Sequence, residues 1–360
     1  MREGTPKIMA TDGNGPGLSL MRQEIGQQPE ALRATIDSLL PRRDEVARLA
    51  ADTRQVLLIA RGTSDNAAVY GSYLIQAHAG RLASLASPSI ATTYKASIDL
   101  NGVLAVALSQ SGRTAEIVET LEWAKANGAR TLAITNGGAE SPLALAADVA
   151  FVTEAGVERA VPATKTFTTE LAALAVLALA LGAPLDAGEL RAAPDAISAL
   201  LASELDLTPI VAELAKVPGV VVSGRGMAYS AALELALKLK EACYLHAMGL
   251  SYADLLHGPI AVVDADTPAI VMAADSGPTL AGTVDLARRV TSAGARAYGI
   301  GGGPSLAAAC SRSLPAPALP EWLAPIGLIV PGQLLTEALA RQLGINPDSP
   351  RGLSKVTQTG

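Results

Sequence analysis

The chain carries one unit twice, so whatever the first copy folds into, the second must fold into as well. VLLIARGTSDNAA at 56–68 resembles VVVSGRGMAYSAA at 220–232. ALSQSGRTAEIVETLEWAKANGARTLAITNGG, from Ala107, resembles MAADSGPTLAGTVDLARRVTSAGARAYGIGGG, from Met272. Gly62 pairs with Gly226, Gly112 with Gly277 and Gly128 with Gly294, at offsets of 164, 165 and 166 residues.

Apolar β-runs are expected at about residues 55–61, 103–109, 131–136 and 149–153 in the first half, and 219–224, 269–274 and 296–301 in the second, with helical patterns between them. Such alternation implies right-handed βαβ crossovers and parallel sheets covered on both faces. The expected fold class is α/β, two tandem doubly wound parallel-sheet domains from an internal duplication. Hydrophobic residues make up 49% of the 360, charged 17% and aromatic 3%, which fits interiors packed with alanine and leucine. Residues 1–17, rich in glycine and polar groups, read as a mobile lead-in. Residues 18–202 read as the first domain with an N-terminal helical segment, 203–345 as the second domain, and 346–360 as a tail, with a linker near Ala202–Pro209. The tail holds Pro347, Pro350 and little apolar content, so its order must come from contacts elsewhere.

Several function classes are disfavoured. A net charge of −6 without a basic run argues against a nucleic-acid groove. Cys243 and Cys310 suit a reducing cytosol and supply neither a disulfide framework nor a zinc spacing, so no metal and no cofactor is expected. The apolar stretch Leu171–Gly182 is too short to span a bilayer and reads as a buried helix. No basic-then-apolar leader opens the chain. A cytoplasmic location without membrane partners is expected.

The run VLAVALSQSGRTAEIVETLEWAKAN at 103–127 is a strand, a hydroxyl-and-glycine turn and a helix opening near Arg113. Ser109, Ser111 and Thr114 offer hydroxyls, Gly112 permits close backbone approach, and the helix start directs free N–H groups and its positive end at an anion. The same turn could be a plain N-cap. No Walker lysine and no G-x-G-x-x-G accompany it, so a small phosphoester suits it better than a nucleotide. In the second copy Ser109 becomes Ala274 and Gln110 becomes Asp275, an anion where phosphate would sit. The first copy is therefore expected to hold the phosphate, beyond the carboxyl ends of its strands.

The second half carries the reactive side chains. Glu234, Lys238 and Glu241 recur at i, i+4 and i+7 on one helix, a stripe that taken alone reads as a solvated face. His257, in LLHGPIAVV, stands in a loop before an apolar strand and taken alone reads as structural or exposed. Lys355, in the polar tail, reads alone as solvent-exposed.

Six motifs in order change that reading: ARGTSDN at 60–66, SQSGRT at 109–114, AGVERAVPATKTFT at 155–168, ALELALKLKEACYLHA at 232–247, DLLHGPIAV at 254–262 and DSPRGLSKVT at 348–357. Together the chain resembles the sugar-isomerase (SIS) family. The likeness is to the two-domain isomerase portion of glucosamine-6-phosphate synthases and their free-standing relatives, which include glucosamine-6-phosphate deaminases. It extends from Met21 to the tail. The resemblance implies flavodoxin-like domains and a C-terminal tail that closes the site. It implies that Ser64, Ser109, Gln110, Ser111 and Thr114 hold a sugar 6-phosphate and that Glu241 moves a proton between C1 and C2. It further implies that His257 assists ring opening, that Lys355 contacts the open-chain carbonyl or forms a Schiff base with it, and that Lys238 supports Glu241. In the family the counterpart of His257 reaches the neighbouring subunit's site, which implies a homodimer with shared sites.

Met248, Leu256 and Arg61 depart from the synthase pattern, which bears on the exact sugar. The synthase opens with a glutaminase whose nucleophile is a cysteine directly after the initiator Met. Here Arg2 follows Met1 and no cysteine precedes Cys243, so the chain is not expected to release ammonia from glutamine. The expected activity is glutamine-independent interconversion of glucosamine 6-phosphate and fructose 6-phosphate. An aldose–ketose phosphate isomerase, an ammonia-dependent amination of fructose 6-phosphate, and a sugar-phosphate sensor without turnover are the alternatives.

Overall fold

A computed structural model describes residues 17–355. The proposed lead-in up to residue 16, Arg2 with it, and residues 356–360 of the tail lie outside the described residues.

In the first half, β1 (Gln55–Ile59), β2 (Leu82–Leu85), β3 (Val103–Leu108), β4 (Arg130–Thr135) and β5 (Val149–Val152) form a parallel sheet of order 2-1-3-4-5. The second half repeats the plan with β6 (Gly219–Gly224), β7 (His246–Ser251), β8 (Ala269–Ala273), β9 (Ala297–Gly301) and β10 (Arg312–Leu314). Their spatial order, 10-9-8-6-7, is the same 2-1-3-4-5 when counted from β6. Two tandem doubly wound, flavodoxin-like sheets are thus present, as the repeat requires. The matched glycines keep their backbone conformation: φ is +58° and +59° at Gly62 and Gly226, +62° and +111° at Gly112 and Gly277, +99° and +83° at Gly128 and Gly294. Each pair stands in the left-handed region, where a Cβ is costly.

Strands β2, β7 and β10 are additional to the runs expected from sequence. The apolar run after His257 is no strand: Pro259–Val262 forms a 3-10 turn. The helix after the hydroxyl turn begins at Ala115 rather than Arg113.

The two sheets share one apolar core. Lys165–Ala180 is buried from Lys165 to Ala178, so it runs through the interior without a solvent face. Ala228–Cys243 packs against Ala324–Gln342, and both join the cluster that reaches from Leu58 and Val106 to Val220 and Ile270. The stretch Glu321–Gln342 is long and apolar enough to cross a membrane, but the most apolar part of it is 94% buried in this core.

Candidate active site

Beyond the carboxyl end of β3 the chain turns through Ser109–Thr114 before the Ala115–Ala126 helix. The turn is clamped from below. A Cβ on Gly112 would lie 2.6 Å from Ser141 Oγ and 2.7 Å from Thr135 Oγ1, and one on Gly137 would lie 2.2 Å from the Ser111 carbonyl oxygen. Asn136 N–H donates to Gln110 O at 3.1 Å and Leu143 N–H to Gly112 O at 3.0 Å. Thr114 is the N-cap residue, yet its side chain makes no capping bond. Its hydroxyl faces Ser109 Oγ at 3.4 Å. The turn is therefore more than a side-chain cap, and its hydroxyls border a cavity of about 310 Å³.

That cavity gathers eight of the nine residues singled out in the sequence: Ser64, Ser109, Gln110, Ser111, Thr114, Lys238, Glu241 and Lys355. The missing one is His257, which is exposed at the end of the Tyr252–Leu256 helix and does not line the cavity. Arg61 stands at the cavity's edge, held in a two-pronged pair with Glu116 at 2.9 and 3.0 Å.

The stripe on Ala228–Cys243 is not a solvated face. Glu234 and Lys238 are 0% and 1% exposed, because the first domain covers them. Thr63 and Asn66 donate to the two oxygens of Glu234 at 3.0 and 2.8 Å. Lys238 Nζ donates to Glu241 Oε2 at 2.6 Å and to Thr63 Oγ1 at 3.2 Å, with Glu234 Oε1 at 3.4 Å. Burial pushes the Lys238 ammonium toward losing its proton, but the Glu234 and Glu241 carboxylates outweigh it and hold its pKa above the usual value. Glu241 is thereby fixed at the cavity wall by a buried cation.

The tail reaches the site because polar contacts replace a core. The Asp348 carboxylate accepts from the backbone amides of Leu20 and Met21 at 2.9 and 2.8 Å, Val161 N–H donates to Asp348 O at 2.9 Å, and Arg351 stacks on Tyr244. Lys355 Nζ then donates to Glu158 Oε2 at 2.6 Å and to Ala160 O at 2.8 Å. Glu158 also accepts from Thr164 and Thr166. Burial drives the Glu158 carboxyl upward, yet Lys355 and these donors prevail and keep it below the ordinary carboxylate range. Sequence reasoning quoted the motif that holds Glu158 without selecting it. It likewise passed over Glu170, whose Oε1 lies 2.8 Å from Ser64 Oγ.

A pair of 2-1-3-4-5 sheets joined over one cavity is the architecture of the phosphosugar isomerase class. The chain belongs to the SIS domain family, matched over residues 50–180 and 213–338. The isomerizing glutamine–fructose-6-phosphate aminotransferase of Pyrococcus horikoshii is 34% identical over 342 residues, covering 93% of this chain and 57% of that protein. The chain thus spans little more than half the length of this curated relative. A candidate phosphosugar isomerase from Silicibacter pomeroyi has the same fold with a TM-score of 0.83 and 32% identity, over 92% of this chain and all of that one. The C-terminal domain of glucosamine-fructose-6-phosphate aminotransferase from Francisella tularensis gives 0.82 and 29%, over 93% and 99%.

Proposed function

We propose that the chain interconverts glucosamine 6-phosphate with fructose 6-phosphate and ammonia. The observation that carries this reading is the convergence on one cavity of a hydroxyl turn from the first domain, a carboxylate from the second and a lysine from the tail. The 6-phosphate lies on Ser109–Thr114, where hydroxyls and the start of the Ala115–Ala126 helix receive it. After ring opening, Glu241 takes the proton from C2 and returns it to C1, which turns the amino-aldose into the imine of the ketose. Water adds to that imine and ammonia leaves. Lys238 holds Glu241 in place through their 2.6 Å contact. Lys355, paired with Glu158, serves as the cation at the open-chain oxygen; a Schiff base would first require its proton to be handed on.

His257, exposed on its own subunit, completes the site of a neighbouring copy and assists ring opening there, so the working unit is a homodimer. Both cysteines are free thiols, in keeping with a reducing cytoplasm. Incubation with glucosamine 6-phosphate, with ammonia and fructose 6-phosphate assayed together, tests the reading. Equal amounts of both are expected. Conversion of fructose 6-phosphate to an aldose phosphate without ammonia turnover would identify a plain isomerase instead, and binding without either product a sensor.

A further inference from the structure

Glu170 is a buried acid that the reaction above does not use. It sits on the interior helix Lys165–Ala180 and is 2% exposed. One oxygen is 2.8 Å from Ser64 Oγ, and the other, Oε2, has no hydrogen-bond partner. Glu158 and Glu234 are also buried, but each has its own lysine, Lys355 and Lys238. Glu170 has no ion pair among the described residues. Lys165 on the same helix is tied to Gln27 at 2.7 Å. The charges that act on Glu170 are the carboxylates of Glu234, from the Ala228–Cys243 helix, and Glu158, from the loop before its own helix. The adjoining Gly62–Leu74 helix presents Ser64, while Asp65 on that helix is under the influence of Arg61. From the packed Ala324–Gln342 helix, Glu337 pairs instead with Ser19 and Arg341.

Ser64 links this acid to the cavity, since the same serine is among its lining residues. A neutral carboxylic acid has an O–H to give, and Ser64 Oγ is the acceptor in reach. An ionised carboxylate has none and must instead receive the serine hydrogen. We propose that Glu170 is a positioning residue for the phosphate: its protonated form donates to Ser64 and releases the serine hydrogen to the substrate, while its ionised form withdraws that hydrogen and sets a second negative charge behind the dianion. This rests on the cavity being a sugar-phosphate site. Burial, with Glu234 and Glu158 adding to it, pushes the Glu170 pKa up to about 8, so the switch falls at mildly alkaline pH.

The test is calorimetric titration with fructose 6-phosphate between pH 7 and pH 9, on wild type and Glu170→Gln. The glutamine amide is a permanent donor to Ser64. Wild-type affinity is expected to fall by up to tenfold per pH unit above about pH 8, as linkage to one proton requires, and the variant's profile to be flat there. At pH 8.5 the sugar phosphate is already dianionic, its second pKa being about 6. Repeating the wild-type titration at that pH in buffers of different ionisation enthalpy should show uptake of a proton on binding, a readout that needs no variant. Parallel profiles in the two proteins, or no proton uptake by wild type, would overturn the role of Glu170 while leaving the phosphate site standing. Absence of binding at every pH would instead overturn the sugar-phosphate reading, and this inference with it.

Discussion

Lys238 shows how a single buried cation can serve both chemistry and folding. It holds Glu241 at 2.6 Å and neutralises Glu234, which no solvent reaches. Glu241→Gln removes the proposed proton acceptor. That variant should bind sugar phosphate but lose about 10²–10⁴-fold in turnover, together with exchange of the C2 hydrogen into deuterated water. Lys238→Met leaves Glu234 buried without its partner, and chemical denaturation should show a loss of about 3–5 kcal/mol. Glu170→Gln should do the reverse. The folded acid keeps its proton to about pH 8 while the unfolded one loses it near pH 4.5, so wild-type stability falls as pH rises between those values. Melting curves should show the variant's advantage growing across that window. The spacing of Glu234, Lys238 and Glu241 is visible in the sequence, but burial is not, because the wall that covers them comes from Thr63 and Asn66, some 170 residues away. Glu158 and Glu170 were unreadable for the same reason: neither an acid in a loop nor one beside threonines on an apolar helix gives a sign that its partner lies in the tail or on another helix.

At the level of elements, the legible strands are those that bury both faces, together with β5, an edge strand whose VAFV is apolar throughout. Strands β1, β3, β4, β6, β8 and β9 lie inside the sheets and read as continuous apolar runs. Strands β2, β7 and β10 are sheet edges with one buried residue each, and their residues carry no such run. The hydroxyl turn was legible because its chemistry is local. Its counterpart at 274–279 lacks the serine of position 109, so Ser111→Ala or Thr114→Ala should weaken fructose 6-phosphate binding in calorimetry, whereas Ser276→Ala should leave it alone. The tail behaves as an element whose order depends on charge. Glu158 is held below its usual pKa, so its stabilising pair with Lys355 is fully present above about pH 4.5 and is lost as pH falls through the depressed value. Limited proteolysis should therefore release the tail at acid pH before the sheets unfold. In Lys355→Met the same cleavage should already occur at neutral pH.

Taken as a whole, the molecule brings its site together from three distant parts of the chain and leaves one expected member, His257, facing outward. The proposed shared dimer site makes a quantitative forecast. Mixing equal amounts of Glu241→Gln and His257→Ala subunits, each inactive alone, should restore about one quarter of the wild-type turnover, because half of the dimers then contain one complete site. No recovery would mean that the sites are self-contained. The duplication itself has an asymmetric outcome. No atom outside the local chain lies within 4 Å of where a Cβ on Gly62 would be, and that residue borders the cavity. At Gly226 the equivalent point is 3.5 Å from Glu321 Oε1, and at Gly277 it is 3.0 Å from Glu321 Cγ. In the second copy the Glu321 side chain packs beside both glycines. Glu321→Ala should therefore lower the melting temperature without changing affinity for the sugar phosphate. One half of the molecule thus keeps open space beside its cavity glycine, while in the other the chain's own side chain fills the matching place, where it registers only as thermal endurance.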